Sequence, residues 1–398
     1  MLQRQEYLDK LIGFKDKQLI KVITGVRCCG KSTLFELFQD YLFKNNVDKT
    51  QIININFEDV DFEELTDYKK LHEYINSKLI KDKMNYIFLD EIQNVPSFQK
   101  AVDSLYIKKN VDLYITGSNA YFLSGELATL LSGRYVEIKM LPLSFKEFLS
   151  SFNDKTDLAR KFRAYLENGS FPYVLELNND KKLIGDYLNG IYNTVILKDV
   201  VARKKIIDIS MLESIIKFMF DNVGNSTSAK KISDTMTSYG RKITSPTVEN
   251  YLSALTNSFI FYRVNRYDVV GKQYLKTGEK YYAVDLGLKY FLLGAKKQDL
   301  GHNLENIVYL ELLRRGYDVY IGKVGVNEVD FIAIKEGIRE YYQVAQTVQA
   351  EETLARELKS LESIKDHYQK FLITMDEQPL TSHEGIKQIN AIDWLLEE

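Results

Sequence analysis

The chain has 398 residues, enough for two or three domains at roughly 100–200 residues each. Its 53 Lys and Arg against 55 Asp and Glu leave a formal net charge of −2, a balance that excludes neither nucleic-acid nor protein partners, because a local basic patch can hide in a neutral average. With 27 Tyr, 21 Phe and only 5 Pro the composition excludes a low-complexity or disordered chain, and no apolar run approaches the ~20 residues a membrane span needs.

The opening residues do not read as a secretory leader. Cys28 and Cys29 are the only cysteines, and neighbours cannot close an ordinary disulfide staple, so a reducing cytoplasm is the expected compartment. An amphipathic helix is predicted over 3–12. Short apolar strands follow at 19–23, 51–56, 86–90, 113–116 and 135–140, separated by helical stretches. That alternation predicts an α/β fold with a parallel sheet over residues 1–150.

Between the first strand and its helix, residues 21–34 read KVITGVRCCGKSTL. Gly25-x-x-x-x-Gly30-Lys31-Ser32 meets every position of the P-loop pattern, in the strand–turn–helix context the pattern requires. The expected nucleotide-binding residues are Gly25, Val26, Arg27, Cys28, Cys29, Gly30, Lys31, Ser32 and Thr33. Their successive backbone N–H groups suit an anion cradle, and the first N–H groups of the following helix point at the same phosphates. Lys31 is expected on the β- and γ-phosphates and the Ser32 hydroxyl on Mg²⁺. The ligand is therefore ATP or GTP, and no guanine-reading NKxD-type string follows.

NYIFLDE at 85–91 is an apolar run ending in two carboxylates, as suits a buried parallel strand that delivers its acids to the ligand edge of the sheet. Asp90 is the expected Walker B aspartate, holding Mg²⁺ through water. Glu91 is placed to polarise the attacking water, which points to hydrolysis rather than binding alone. The next strand runs into Thr116-Gly117-Ser118-Asn119. Asn119 or Ser118 is expected to sense the γ-phosphate or orient the water, the plainer reading being a turn cap. Arg134 is expected to face a phosphate or to act in trans, against the plainer reading of a surface ion pair.

From Pro142 the pattern turns helical, with 151–204 read as a helical lid or connector broken by Gly169-Ser170-Phe171-Pro172. Residues 205–285 then give helices at 211–222, 228–236 and 245–255 and strands at 259–267 and 280–284, the order of a winged helix-turn-helix. Residues 230–280 carry nine Lys and Arg against four acids. If this segment reads DNA, 245–255 enters the major groove with Arg241, Lys242 and Lys272 on phosphates. Few side chains of that helix can read bases, so protein contact stays open beside DNA. Residues 286–398 are predicted as α-β-β-β-α-β with a short final helix at Trp394.

These strings together resemble a bacterial and archaeal family of AAA+-type ATPases that carry a C-terminal DUF4143 domain. The matches are GVRCCGKSTL (25–34), FLDEIQNV (88–95), ITGSNAYFLSGELATLLSGRYVEIKMLPLSFKEFL (115–149), FPYVL (171–175), GRKITSPTVENYLSAL (240–255), KYYAVDLGL (280–288), HNLENIVYLELLRRGYDVYIGK (302–323) and EVDFIA (328–333). The resemblance implies an ASCE-type P-loop core, adenine as the base, a winged-helix-like middle, and a last domain related to the PD-(D/E)XK nuclease fold. It would place Glu305 and Asp330 in a nuclease-like centre whose third strand should end in Glu or Gln, any residue, then Lys. Here it reads Gln343-Val344-Ala345. Ala345 cannot stabilise developing negative charge as the lysine does, and no nearby lysine at that strand parity replaces it, so an inactive centre is expected.

The leading reading is a cytoplasmic Mg²⁺-dependent ATPase coupled to DNA- or protein-contacting domains, with its oligomeric state left open. An ATP-gated nuclease and a slow nucleotide-sensing switch are the alternatives; Ala345 weighs against the first and Glu91 against the second.

Overall fold

The computed structural model of the protein describes residues 2–118, 131, 133–154, 156–201, 206–294, 300–377 and 381–397. The chain divides into two compact units, Met1–Pro142 with Asn257–Phe259, and Leu143–Thr256 with Ile260–Glu398.

The first unit is built on five strands, β1 (Ile20–Thr24), β2 (Ile52–Asn56), β3 (Asn85–Asp90), β4 (Val111–Gly117) and β5 (Tyr135–Lys139). They pair in the order β2-β3-β4-β1-β5, every pair parallel. All five are the strands the alternation predicted. Every residue of β1, β3 and β4 is buried, because helices α1 (Gln5–Gly13), α2 (Lys31–Lys44), α3 (Tyr68–Lys78) and α4 (Phe98–Tyr106) supply apolar faces for a sheet that buries both of its own. Strand alternation sorts the side chains. Ile87 and Leu89 of β3 join one core with Leu71 and Ile75 of α3 and Val102 and Leu105 of α4. Phe88 between them stacks on Tyr114 (centroids 4.9 Å apart) and meets Phe35 of α2 edge-on at 5.0 Å.

One position of β1 breaks the apolar run. Lys21 is fully buried, ion-paired with Asp112, and donates to the Lys17 carbonyl at 2.7 Å. Burial pulls the Lys21 ammonium down and pushes the Asp112 carboxyl up, each partly offset by the other's charge.

The second unit holds an eight-stranded mixed sheet. Its strands are β6 (Phe261–Asp268), β7 (Gln273–Ala283), β8 (Asp318–Val324), β9 (Asn327–Lys335), β10 (Ile338–Val344), β11 (Gln369–Thr374), β12 (Thr381–His383) and β13 (Ile386–Asn390), in the order β12-β13-β11-β10-β9-β8-β6-β7. Helices Ile209–Asp221, Ala229–Ser238 and Ser245–Asn257 precede the β6/β7 hairpin, the order that suggested a winged helix. The hairpin does not stand apart as a wing, however. β6 pairs in parallel with β8, Arg266 opposite Ile321 and Asp268 opposite Lys323. The border expected at residue 285 therefore falls between strands of one sheet. β7 also begins at Gln273 rather than 280, and the β12/β13 pair is an addition to the predicted order.

A backbone-to-backbone contact ties two of the quoted strings together in this unit. Cβ at Gly287 would lie 2.5 Å from Gly169 Cα. Beside it the buried Asp285 carboxylate accepts from the Ser170 hydroxyl (2.7 Å) and from Leu288 N–H (3.0 Å), capping the helix Leu286–Leu293. GSFP and VDLGL thus meet as a packing joint.

Candidate active site

The phosphate loop runs from Gly25 to Gly30 between β1 and α2. A side chain at Gly25 would collide with the Met140 carbonyl. Gly30 takes φ 102, ψ 24 at the N-cap of α2, in the left-handed region that favours glycine. Gly30 offers no side chain to cap α2, so the unpaired N–H groups of its first turn are left for an anion. Cys28 takes φ 65 and is exposed, whereas Cys29 is buried. Burial pushes both thiols up, against the lowering pull of Lys31.

The loop is braced from outside itself. Arg4, 4% exposed, donates to the Cys29 carbonyl at 2.9 Å and to the Leu141 carbonyl at 2.6 Å. Tyr7 hydroxyl accepts from Leu141 N–H at 3.1 Å, and Met140 N–H donates to the Thr24 carbonyl at 2.7 Å. Nothing local in the sequence marks Arg4, because its partners lie 25 and 137 residues away.

Lys31 heads α2 and is buried, its Nζ donating to the carbonyls of Gly25 (3.1 Å) and Val26 (3.3 Å) and lying 3.5 Å from Glu91 Oε1. Ser32 next to it is exposed. Arg27 of the loop pairs with Glu58.

Asp90 ends β3, buried, with one carboxylate oxygen accepting a hydrogen bond from the Thr116 hydroxyl. Thr116 also accepts the Glu91 N–H at 2.9 Å, so one hydroxyl locks both acids. Glu91 sits at φ 55, ψ 45, a left-handed conformation that costs a non-glycine residue about 1–3 kcal/mol and recurs at functional sites. Its Oε2 accepts from Ser118 hydroxyl at 2.7 Å and from Gln93 Nε2. Burial alone would raise this carboxyl. The Lys31 ammonium, the Gln93 and Ser118 donors and Arg27 outweigh it and hold the group below the usual carboxylate range.

The structure thus brings Gly25, Arg27, Gly30, Lys31, Ser32, Asp90, Glu91 and Ser118 to one end of the sheet. Asn119 lies outside the described residues. Arg134 needs correction. Tyr135 pairs with Ile20 at the start of β1 and Lys139 with Thr24 at its end, so Arg134 stands at the opposite edge of the sheet, roughly 15 Å from the loop by strand rise. Its guanidinium lies 5.3 Å from the centroid of the Tyr106 ring. It cannot face a phosphate in its own chain's loop. Thr116 and Gln93 stand in the quoted strings without a role of their own, and nothing in the sequence points to Arg4.

The second unit holds another buried charge cluster. Lys280 Nζ lies 3.0 Å from Glu305 Oε1, 3.1 Å from Glu328 Oε1 and 3.7 Å from Asp330 Oδ1. Tyr282 hydroxyl donates to Glu305 at 2.6 Å. Burial and the Glu305 charge push Asp330 up to about 8 despite Lys280. β10 itself carries no lysine, but β7 supplies one from the hairpin. Its ammonium sits among the carboxylates. Gln343 is taken up by Glu357, to which its Nε2 donates at 2.8 Å.

The basic segment is likewise largely spent. Arg263 pairs with Glu249 (2.8 Å), Arg266 with Glu328 (3.1 Å), and Arg241 binds Ser210 Oγ at 2.6 Å. With Lys280 buried and Lys231 donating to the Ser226 carbonyl at 3.3 Å, five of the nine counted cations serve internal contacts.

A family model described as an AAA domain matches residues 17–149, and one for a domain of unknown function, DUF8612, matches 159–299. The second stands in place of the DUF4143 expected from the resemblance. Over its full length the chain is 43% identical to an uncharacterized protein of Haemophilus influenzae, of which it covers 99%. The chain belongs to that protein's family, one with an AAA domain. Uncharacterized protein MJ1544 of Methanocaldococcus jannaschii is 31% identical, with 94% of this chain and 85% of that protein aligned. Among solved structures, the Walker-type ATPase PABY2304 of Pyrococcus abyssi is 16% identical with a TM-score of 0.47, covering 73% of this chain and 96% of that one. The Aeropyrum pernix Orc1 protein, solved in complex with DNA, is 14% identical with a TM-score of 0.35, covering 73% and 92%. At such scores neither likeness carries an argument about this AAA-domain family. Among the described residues no helix is long and apolar enough to cross a membrane.

Proposed function

We propose that the protein binds ATP with Mg²⁺ and hydrolyses its terminal phosphoanhydride. The observation that carries this reading is the pairing of Lys31 with Glu91. The cation for the β- and γ-phosphates and the base for the water share one pocket, 3.5 Å apart, with Oε2 of the base anchored and Oε1 directed to the lysine side.

Lys31 leaves the loop carbonyls for the phosphate oxygens, joining the loop amides and the first turn of α2. Glu91 accepts a proton from water as its oxygen attacks the γ-phosphorus, and the bond to the bridging oxygen breaks to release ADP and phosphate. The exposed Ser32 hydroxyl and the Asp90 carboxylate are hard oxygen donors that fit Mg²⁺. Bound there, Mg²⁺ would neutralise developing phosphate charge. Adenine as the base rests on the family resemblance. Ser118, which holds Glu91, is the sensor residue of this reading.

The second unit is read as the output module. With Arg241, Arg263, Arg266 and Lys280 engaged internally, a protein surface suits it better than a DNA backbone. The reading is tested by phosphate release from ATP by purified protein, with Mg²⁺ and with EDTA. Turnover that needs Mg²⁺ is expected, and a protein that neither binds nor hydrolyses Mg·ATP overturns it.

A further inference from the structure

Gln93 lies in the short turn Ile92–Asn94 directly after Glu91. Its carboxamide is used at one end only. Nε2 donates to Glu91 Oε2 and approaches Ser118 Oγ at 3.4 Å, while Oε1 is buried and accepts no hydrogen bond. The orientation is fixed by charge, since turning the amide would set its oxygen against the carboxylate. A buried acceptor without a donor is destabilising, and it belongs to the very group that anchors Glu91.

Resting on the reading that Glu91 activates the water, we propose that Gln93 positions that water for attack, its Nε2 fixing the Glu91 carboxylate and its Oε1 accepting a hydrogen bond from the water's second O–H. A water with one proton toward Glu91 and the other on an amide oxygen presents a lone pair in a set direction, which is what in-line attack on a γ-phosphate needs. Ser118 fixes the same carboxylate oxygen but offers no comparable planar acceptor, so the two roles differ. Lys31, Arg27, Thr116 and Asp90 surround Glu91 from the loop, β4 and β3, yet each already has another partner. Gln93 alone among these neighbours keeps a buried polar atom unmatched.

The test is a steady-state comparison of wild type with Gln93→Leu and Gln93→Glu, beside Glu91→Gln. Gln93→Leu removes donor and acceptor, and Gln93→Glu keeps acceptor oxygens but loses the donor. Each should lower kcat by about tenfold or more, the loss of one hydrogen bond to a charged group. Because Gln93 touches no loop residue, KM for ATP and affinity for a fluorescent ATP analogue should stay at wild-type values. A turn-capping role would instead move stability and nucleotide binding together. Wild-type kcat in either folded variant overturns the proposal, and so does a KM that rises in step with the fall in kcat. If Gln93→Leu fails to fold, Gln93→Glu decides by the same split. Should Glu91→Gln turn over at the wild-type rate, the assignment of the base fails and this inference falls with it. A slow Glu91→Gln beside a normal Gln93→Leu leaves the base standing and removes Gln93 alone.

Discussion

Lys31 and Lys280 are both buried and both face glutamate, yet the resemblance ends there. Lys31 leans on two carbonyls at 3.1 and 3.3 Å and stands 3.5 Å from a single carboxylate. Neutral carbonyls and one longer ion pair are partners a phosphate can outbid. Lys280 is enclosed by Glu305, Glu328 and Asp330, and Glu305 is fixed in turn by Tyr282. The carboxylates push its ammonium well above the usual lysine range against the opposing effect of burial. A buried lysine marks a ligand site when its partners are exchangeable, and a structural joint when they are ionic and complete.

Substitutions can break this contrast. The largest effect is expected from Lys31→Ala, which should bring turnover below detection and weaken ATP binding while the melting temperature stays close to wild type. Normal hydrolysis by that variant would remove the P-loop assignment. Lys280→Met should do the reverse. Taking one partner from a buried ion cluster costs about 3–5 kcal/mol, read as an earlier denaturant midpoint of the second unit. An unchanged midpoint would show that the cluster does not hold that unit together. Glu91→Gln should keep Mg·ATP binding and slow hydrolysis by about 10²-fold, the lower end of a general base's contribution.

Asp330→Asn probes the same cluster more gently. A carboxyl raised to about 8 is held more tightly protonated in the folded state than in the unfolded one. Its contribution is complete below the unfolded value near 4 and is lost as pH climbs through about 8. The asparagine variant should therefore gain stability relative to wild type between pH 5 and 8, by at most about 1.4 kcal/mol for each pH unit, with no further gain above pH 9. Denaturant titrations across that range check it, and a gap that does not change with pH would sink it. The smallest effect concerns DNA. Five of the nine cations serve internal contacts, so with the other four any binding should weaken with a log–log salt slope no steeper than about −3.6. A slope near −8 would mean that the internal pairs open on DNA.

What could be read from the sequence was whatever is local along the chain. The P-loop, Asp90 and Glu91 sit within single strand–turn segments, and the five strands of the first sheet are short apolar or alternating runs between helical stretches. Arg4 escaped because its carbonyl partners come from distant segments. Lys280 escaped because its place depends on β6 pairing with β8, a contact between residues 266–268 and 321–323 that no periodicity reports. β7 reads short in the sequence because Lys-Thr-Gly-Glu-Lys at 276–280 looks like a turn, whereas β6 pairs with residues 273–275 and again from Lys280, across an irregularity, and the strand runs through. Arg134 was misplaced because a sequence does not say which end of a strand faces the ligand; pairing with β1 does.

That parallel join between β6 and β8 also decides where the protein can be cut. A fragment ending near residue 285 would keep the hairpin but strip its inner neighbour, exposing the unpaired N–H and C=O groups of β6 as a template for another chain. Such a piece should self-associate, and the complementary piece beginning at 286 would carry the matching raw edge on β8. For anyone dissecting this family by expression of parts, the usable boundary lies near residue 142, where the two units meet in sequence.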